Sequence, residues 1–248
     1  MDILKKILIL LVFASPLFGQ FNQYPFGHGP EGGAAADPIL DAVPYVYLDA
    51  TLFDVVDGDT VTSWTDLSGN NRHALQATTT LAPIFDTNVL NGEPVLDFLQ
   101  ANSYSVVTYG ETLSQPNTII CVFLNSTPAD WTYDGIDGTN RQMLYNASSE
   151  YLWYAGNNYI GPAKDASFHL SIVINDGASS SIRLDDATLS SSFDLGSLGA
   201  AGATLMSRYT FANPSSGKLA VFIVYDRAIS LLEINDIKTF LNTRYALY

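Results

Sequence analysis

Two stretches of the chain set aromatic rings beside amide and carboxylate groups. One holds Trp153, Tyr154, Asn157, Asn158 and Tyr159, the other Trp131, Tyr133 and Asp134. That combination suits a sugar, whose ring stacks on an aromatic face while its hydroxyls bond to amides and carboxylates. Aromatic residues also fill β-sandwich cores, so Trp131 and Trp153 are open to both readings, and Trp64 reads as core. Oxygen-rich loops offer a second chemistry. Asp66, Ser68, Asn70 and Asn71 lie in one, and Asp134, Asp137 and Asn140 in another. Calcium takes such carboxylate, amide and hydroxyl oxygens. Asp and Asn also occupy turns because their side chains bond nearby backbone, and turn capping is the reading put first.

Other chemistries find little support. His28, His73 and His169 are far apart and lack zinc-like spacing. There is no G-x-S-x-G nucleophile signature. Cys121 is the single cysteine; inside the apolar run Thr118 to Leu124 it reads as a small core residue. Acidic residues number 25 and basic ones 11, a formal charge of −14. Nucleic acid is therefore not an expected partner, since its binding rests on Lys and Arg. An acidic, lightly charged surface suits an extracellular protein.

The elements that position these residues are mostly strands. Val, Ile, Thr, Tyr and Phe recur in short runs separated by Gly, Asn, Asp and Ser. Strands are expected at Tyr45 to Leu48, Val61 to Trp64, Val95 to Phe98, Tyr104 to Tyr109 and Thr118 to Leu124. Asp130 to Tyr145 reads as strand, turn, strand around two Asp-Gly pairs. Tyr151 to Tyr154, Phe168 to Asn175, Ser181 to Leu184 and Leu205 to Tyr209 follow, and Ser190 to Gly202 reads as a connection. Leu219 to Tyr225 is apolar on both alternating faces, as in a central strand covered on both sides. After it, Ser230 and Glu233 form a capping box, flanked by Ile229 and Ile234. Ile234, Ile237, Phe240 and Leu241 then mark the apolar face of an amphipathic helix. A core strand this late needs partners far upstream, so the expectation is one all-β domain: a two-sheet antiparallel β-sandwich with a C-terminal amphipathic helix.

The N-terminus reads as a signal peptide over residues 1–19. Lys5 and Lys6 precede the apolar run Ile7 to Phe13 and a small-residue exit near Gly19. That run is too short to span a bilayer, so no spanning segment is expected in the mature chain. Residues 20–38 read as a Gly-, Ala- and Pro-rich arm and 39–248 as the domain. The expected location is secreted or cell-surface, or within a virion. Asn125-Ser-Thr and Asn146-Ala-Ser are glycosylation sequons.

The order of motifs resembles a known family. Trp64, Asp66, Ser68, Gly69, Asn70, His73 and Ala74 spell W-x-D-x-S-G-N-x-x-H-A, followed by the Pro94 to Phe98 strand. The apolar strand Thr118 to Leu124, the alternating strand ending in Asp176-Gly177 and the closing Tyr225 to Ile234 complete the set. This is similar to the LamG-like domains of the concanavalin A-like lectin/glucanase superfamily. The resemblance implies a jelly roll with one concave sheet, in a family whose members bind glycans, mediate adhesion or serve as accessory modules. Hydrolases of that superfamily carry E-x-D-x-x-E on one strand. Here the residues two after Glu31, Glu93, Glu111, Glu150 and Glu233 are Gly33, Val95, Leu113, Leu152 and Asn235, so that motif is absent.

The expected function is an exported, non-enzymatic module for polysaccharide or a surface glycan, with calcium as an accompanying ligand. A virion or surface-fibre component is the alternative, its arm ordering on a protein partner or a second copy. An atypical glycosidase is the third reading.

Overall fold

A computed structural model describes residues 36–99, 103–126, 130–147, 149–212 and 214–248. The signal peptide (1–19), most of the arm (20–35) and the third residues of both sequons, Thr127 and Ser148, lie outside the described residues.

The strands, in chain order, are β1 (Val46–Asp49), β2 (Ser63–Trp64), β3 (Ala74–Leu75), β4 (Ile84–Leu90), β5 (Glu93–Phe98), β6 (Ser105–Leu113), β7 (Asn117–Asn125) and β8 (Trp131–Asp134). Then come β9 (Met143–Ala147), β10 (Glu150–Tyr154), β11 (Asn158–Ala163), β12 (His169–Asn175), β13 (Ser180–Leu184), β14 (Ala187–Phe193), β15 (Ala200–Leu205) and β16 (Gly217–Tyr225). Helix α1 (Pro38–Asp41) precedes them and α2 (Leu231–Tyr245) follows.

They form two eight-stranded antiparallel sheets. The first runs β14-β13-β12-β7-β16-β5-β4, with β1 also on β16; the second runs β11-β10-β9-β8-β15-β6-β3-β2. Strand β16 is central: β7 flanks one edge, while β5 pairs with its first residues and β1 with Val221 to Val224 on the other. Its two apolar faces have separate destinations. Phe222 and Val224 join Cys121, Phe123, Tyr133, Tyr151 and Trp153 between the sheets. Val221 and Ile223 join Ile120, Val122 and Ile39 under α2, which contributes Ile234, Ile237, Leu241 and Tyr245. Burial on both faces is why β7 and β16 read as continuous apolar runs.

Helix α2 starts as its sequence requires. Ser230 Oγ accepts the Glu233 N–H and the Glu233 carboxylate accepts the Ser230 N–H, with Ile229 and Ile234 buried beside the pair. Arg227 also clasps Glu233 and lowers its pKa to about 2.

Several expectations change. Strand β4 was not expected because Asp86, Thr87 and Asn88 interrupt its apolar ends, and β11, β14 and β15 carry Ser, Thr, Gly and Ala where apolar alternation is weak. The supposed connection Ser190 to Gly202 therefore contains the end of β14 and the start of β15. The Leu205 to Tyr209 strand stops at Leu205, because Met206 takes a positive φ. The polar side of β12 is buried: His169, Ser171 and Asn175 face the second sheet, each hydrogen-bonded.

Candidate functional site

Helix α2 closes the outer face of the first sheet, whereas no helix covers the outer face of the second among the described residues. Strand pleating decides which aromatics reach that open face. Trp131 opposes Tyr145, Tyr145 opposes Leu152, and Leu152 opposes Ile160, forming one row across β8 to β11. Met143, Tyr154 and Asn158 form the next row. Trp131 and Tyr145 stack with centroids 5.4 Å apart and planes within 15°. Ile160 is 68% exposed at the rim.

Asp134 and Arg141 lie beside these rows, at the two ends of the loop joining β8 to β9. The carboxylate takes a two-point contact from the guanidinium, Nε to Oδ1 at 2.7 Å and Nη2 to Oδ2 at 2.8 Å. It also accepts the Gly135 N–H at 2.8 Å and the Tyr209 N–H at 3.1 Å. The Arg141 guanidinium lies 4.8 Å from the Tyr209 ring centre and 5.9 Å from that of Tyr154. The face thus presents stacked aromatics, a charge-compensated arginine and an exposed amide, Asn158.

The predicted residues divide accordingly. Trp131, Asp134, Tyr154 and Asn158 come together on this face. Tyr133 and Trp153 do not: they are 2% and 1% exposed and point between the sheets, where Trp153 Nε1 donates to Ser171 Oγ at 3.0 Å. Burial pushes the Tyr133 phenol far up. Tyr159 also turns inward, donating its hydroxyl to the Leu189 carbonyl at 2.9 Å and so tying β11 to β14. Asn157 belongs to a separate shallow cleft of about 420 Å³, lined by Gly156, Asn157, Gly177, Asp194, Gly196 and Ser197. Its amide bonds to the Asp194 carbonyl.

Sequence reasoning missed Tyr145, Arg141 and Tyr209. The strand-turn-strand reading of Asp130 to Tyr145 was the available signal for the first two, since the ends of an antiparallel hairpin meet, as Trp131 and Tyr145 do. Tyr209, far along the chain, had none.

The loop oxygens offered to calcium are already engaged in hydrogen bonds within the protein. Both Asp66 oxygens are occupied: Oδ1 accepts the N–H groups of Tyr47 and Ser68, and Oδ2 the Ser68 hydroxyl and the Arg72 N–H, at 2.8 to 3.0 Å. Ser68 and Asn70 tie the same loop to the Tyr45 carbonyl, and Asn71 takes a left-handed turn conformation. His73 Nδ1 accepts the Asp66 N–H at 2.9 Å, so it is a turn residue. Asp134 is committed to Arg141. Asp137 caps its own turn through the Thr139 and Asn140 N–H groups, which lower its pKa. Among the described residues, no cluster of three or more His, Cys, Asp or Glu side chains could hold a metal. These oxygens serve as turn caps.

Comparison with known structures supports the architecture. The chain is similar to Trypanosoma rangeli sialidase in complex with sialic acid, at 12% identity and a TM-score of 0.56, over 79% of this chain and 33% of that one. It is also similar to the ligand-binding domain of botulinum neurotoxin serotype D in complex with N-acetylneuraminic acid, at 9% identity and a TM-score of 0.60. There the match covers 82% of this chain and 53% of the other. This chain thus spans about a third to a half of these neighbours' lengths. At such identity the likeness shows the fold, a two-sheet antiparallel β-sandwich, and the neighbours include an enzyme as well as a binding domain. No protein-family model matches the chain, and no curated protein matches it.

Proposed function

We propose that the protein is an exported, non-enzymatic carbohydrate-binding module that takes polysaccharide or a cell-surface glycan on the outer face of its second sheet. One observation carries the reading: the Trp131–Tyr145 stack lies in the row next to Tyr154 and Asn158, with the Asp134–Arg141 pair beside them, on the outer face of the second sheet. Sugar recognition asks for that combination of ring faces and fixed polar groups. The sialidase and the neurotoxin domain, both in complex with sialic acid, add support by analogy of fold. Export is supported by Lys5, Lys6 and the apolar run behind them. The non-enzymatic reading is supported by the absence of the E-x-D-x-x-E motif and by Asp134, the carboxylate beside the rows, whose oxygens are taken by a guanidinium and two N–H groups. Affinity per site would be modest and raised by display in several copies.

The test is binding of the purified protein to arrays of polysaccharides and surface glycans, with release of reducing sugar followed in parallel. Saturable binding without hydrolysis is expected. Tyr145→Ala and Tyr154→Ala, both at partly exposed positions, should weaken it about tenfold each with the melting curve retained. Absence of binding by a folded protein would end the reading, and released sugar would replace it with the glycosidase one.

A further inference from the structure

Nine basic side chains lie among the described residues, and five of them sit on carboxylates: Arg141 on Asp134, Lys218 on Asp86 and Asp97, Arg227 on Glu233, Lys238 on Asp186 and Arg244 on Asp49. Arg72 bonds to the Tyr45 and Tyr109 carbonyls, and Arg183 to Ser181. Lys164 also has an interaction of its own. Arg208 differs. Its guanidinium has no hydrogen bond and no carboxylate among the described residues, in a chain whose formal charge is −14.

The surroundings of Arg208 are built rather than loose. Its guanidinium carbon lies 5.4 Å from the centre of the Tyr209 ring, and its Nε is enclosed without a partner. The Tyr209 N–H is fixed by Asp134, and Arg141 lies over the same ring at 4.8 Å. Two guanidiniums therefore share one ring, and one carboxylate, Asp134, serves one of them. Asp137, on the neighbouring loop, forms no ion pair with either. A positive charge is left over beside Tyr209, the ring that also carries Arg141, and Arg141 in turn lies 5.9 Å from the ring centre of Tyr154.

We infer that Arg208 is a recognition residue for a sugar carboxylate, so that the ligand of the open face is an acidic glycan. This rests on the carbohydrate-binding reading and narrows it. With Nε enclosed and the ring behind it, the guanidinium is held in place. Its two terminal nitrogens are neither partnered nor enclosed, and they present the planar fork that pairs with a carboxylate through two parallel N–H···O bonds. Arg141 cannot take that role, because its own fork is filled by Asp134.

The carboxylate could belong to a uronic acid or to a sialic acid, and the test separates them. Binding is measured calorimetrically for oligogalacturonate against the neutral galacto-oligosaccharide, and for sialyllactose against lactose. The acidic member of one pair is expected to bind at least about tenfold more tightly. Arg208→Gln should bring it to the level of its neutral partner while leaving neutral binding unchanged, and Arg208→Lys should restore part of the difference. Equal affinity within both pairs for the wild type overturns the inference and leaves the carbohydrate-binding reading intact. So does an Arg208→Gln variant that keeps the acidic preference. Failure of all four sugars to bind overturns the inference, and joined to silence on the glycan arrays it overturns the reading beneath it.

Discussion

The His169 imidazole is paired with the Asp185 carboxylate, Nδ1 to Oδ2 at 2.7 Å, while Asp165 approaches the other ring nitrogen at 3.0 Å. Asp185 is held in turn by the Leu170 N–H. Burial alone pushes the histidine pKa down; the two carboxylates outweigh it and hold the value above 6.5. A folded-state pKa above the unfolded one stabilises the protein fully below about pH 6.5 and loses that effect as pH rises through the folded value. We therefore predict that denaturant stability falls over this window in the wild type and that His169→Gln removes that component. Superimposable pH profiles for the two proteins would rule it out.

Trp153 is a structural residue. Trp153→Ala is expected to cost about 3–5 kcal/mol, because it empties the space between the sheets and strands the Ser171 hydroxyl. Gly161 lies against the same indole, where an added methyl group would collide with the ring. Gly161→Ala should therefore destabilise as well, though less, because β11 is an edge strand and can yield. Equilibrium unfolding measures both.

Asp49 is fully buried in its side chain, and Arg244 of α2 reaches it at 2.6 Å. Tyr47 and Thr51 supply its remaining hydrogen bonds. Arg244→Ala leaves that carboxylate without its counter-charge, and a loss of about 3–5 kcal/mol is expected. Adding Asp49→Asn should recover part of the loss, and a double-mutant cycle tests this. Additive effects would show that the pair is not coupled.

Saturation of the Asp66 carboxylate bears on metal dependence. Melting temperatures in calcium and in chelator should agree. Asp66→Ala should lower stability by about 2–3 kcal/mol equally in both, since it removes charge-assisted bonds to backbone and hydroxyl donors. A calcium-induced rise in melting temperature that Asp66→Ala abolishes would restore the calcium reading.

Much of the fold was legible because its central strands are apolar on both sides and its last helix announces its cap. Strands β14 and β15 were not. β14 is a largely exposed edge strand of Ser, Thr and Ala, and β15 needs small residues because Gly202 packs against the Val107 carbonyl and Ile136. On β12, polar residues face inward because Trp153 and Gln142 across the sandwich satisfy Ser171 and Asn175, and the loop carboxylates Asp165 and Asp185 satisfy His169, which a one-strand pattern cannot reveal. Local composition located both halves of the aromatic face but not which rings point outward. In β10 neighbouring residues face opposite ways, so Tyr154 separates from Trp153; in β8 the register shifts between Trp131 and Tyr133, which parts two residues that regular alternation would put on one face. Arg208 stands out only in three dimensions, as a described cation whose guanidinium has neither a hydrogen bond nor a carboxylate among the described residues.

The position of β16 in the middle of the first sheet has a consequence for synthesis. Chain ending before Gly217 has a gap between β7 and the β1–β5 side of the sheet, with apolar residues bare on both flanks. No shorter N-terminal piece can close the sandwich, so the growing polypeptide must remain open until Tyr225 has left the ribosome. Arrested nascent chains should therefore stay protease-sensitive up to that length and become resistant together beyond it. Such vectorial delay keeps the chain threadable until β16 has emerged.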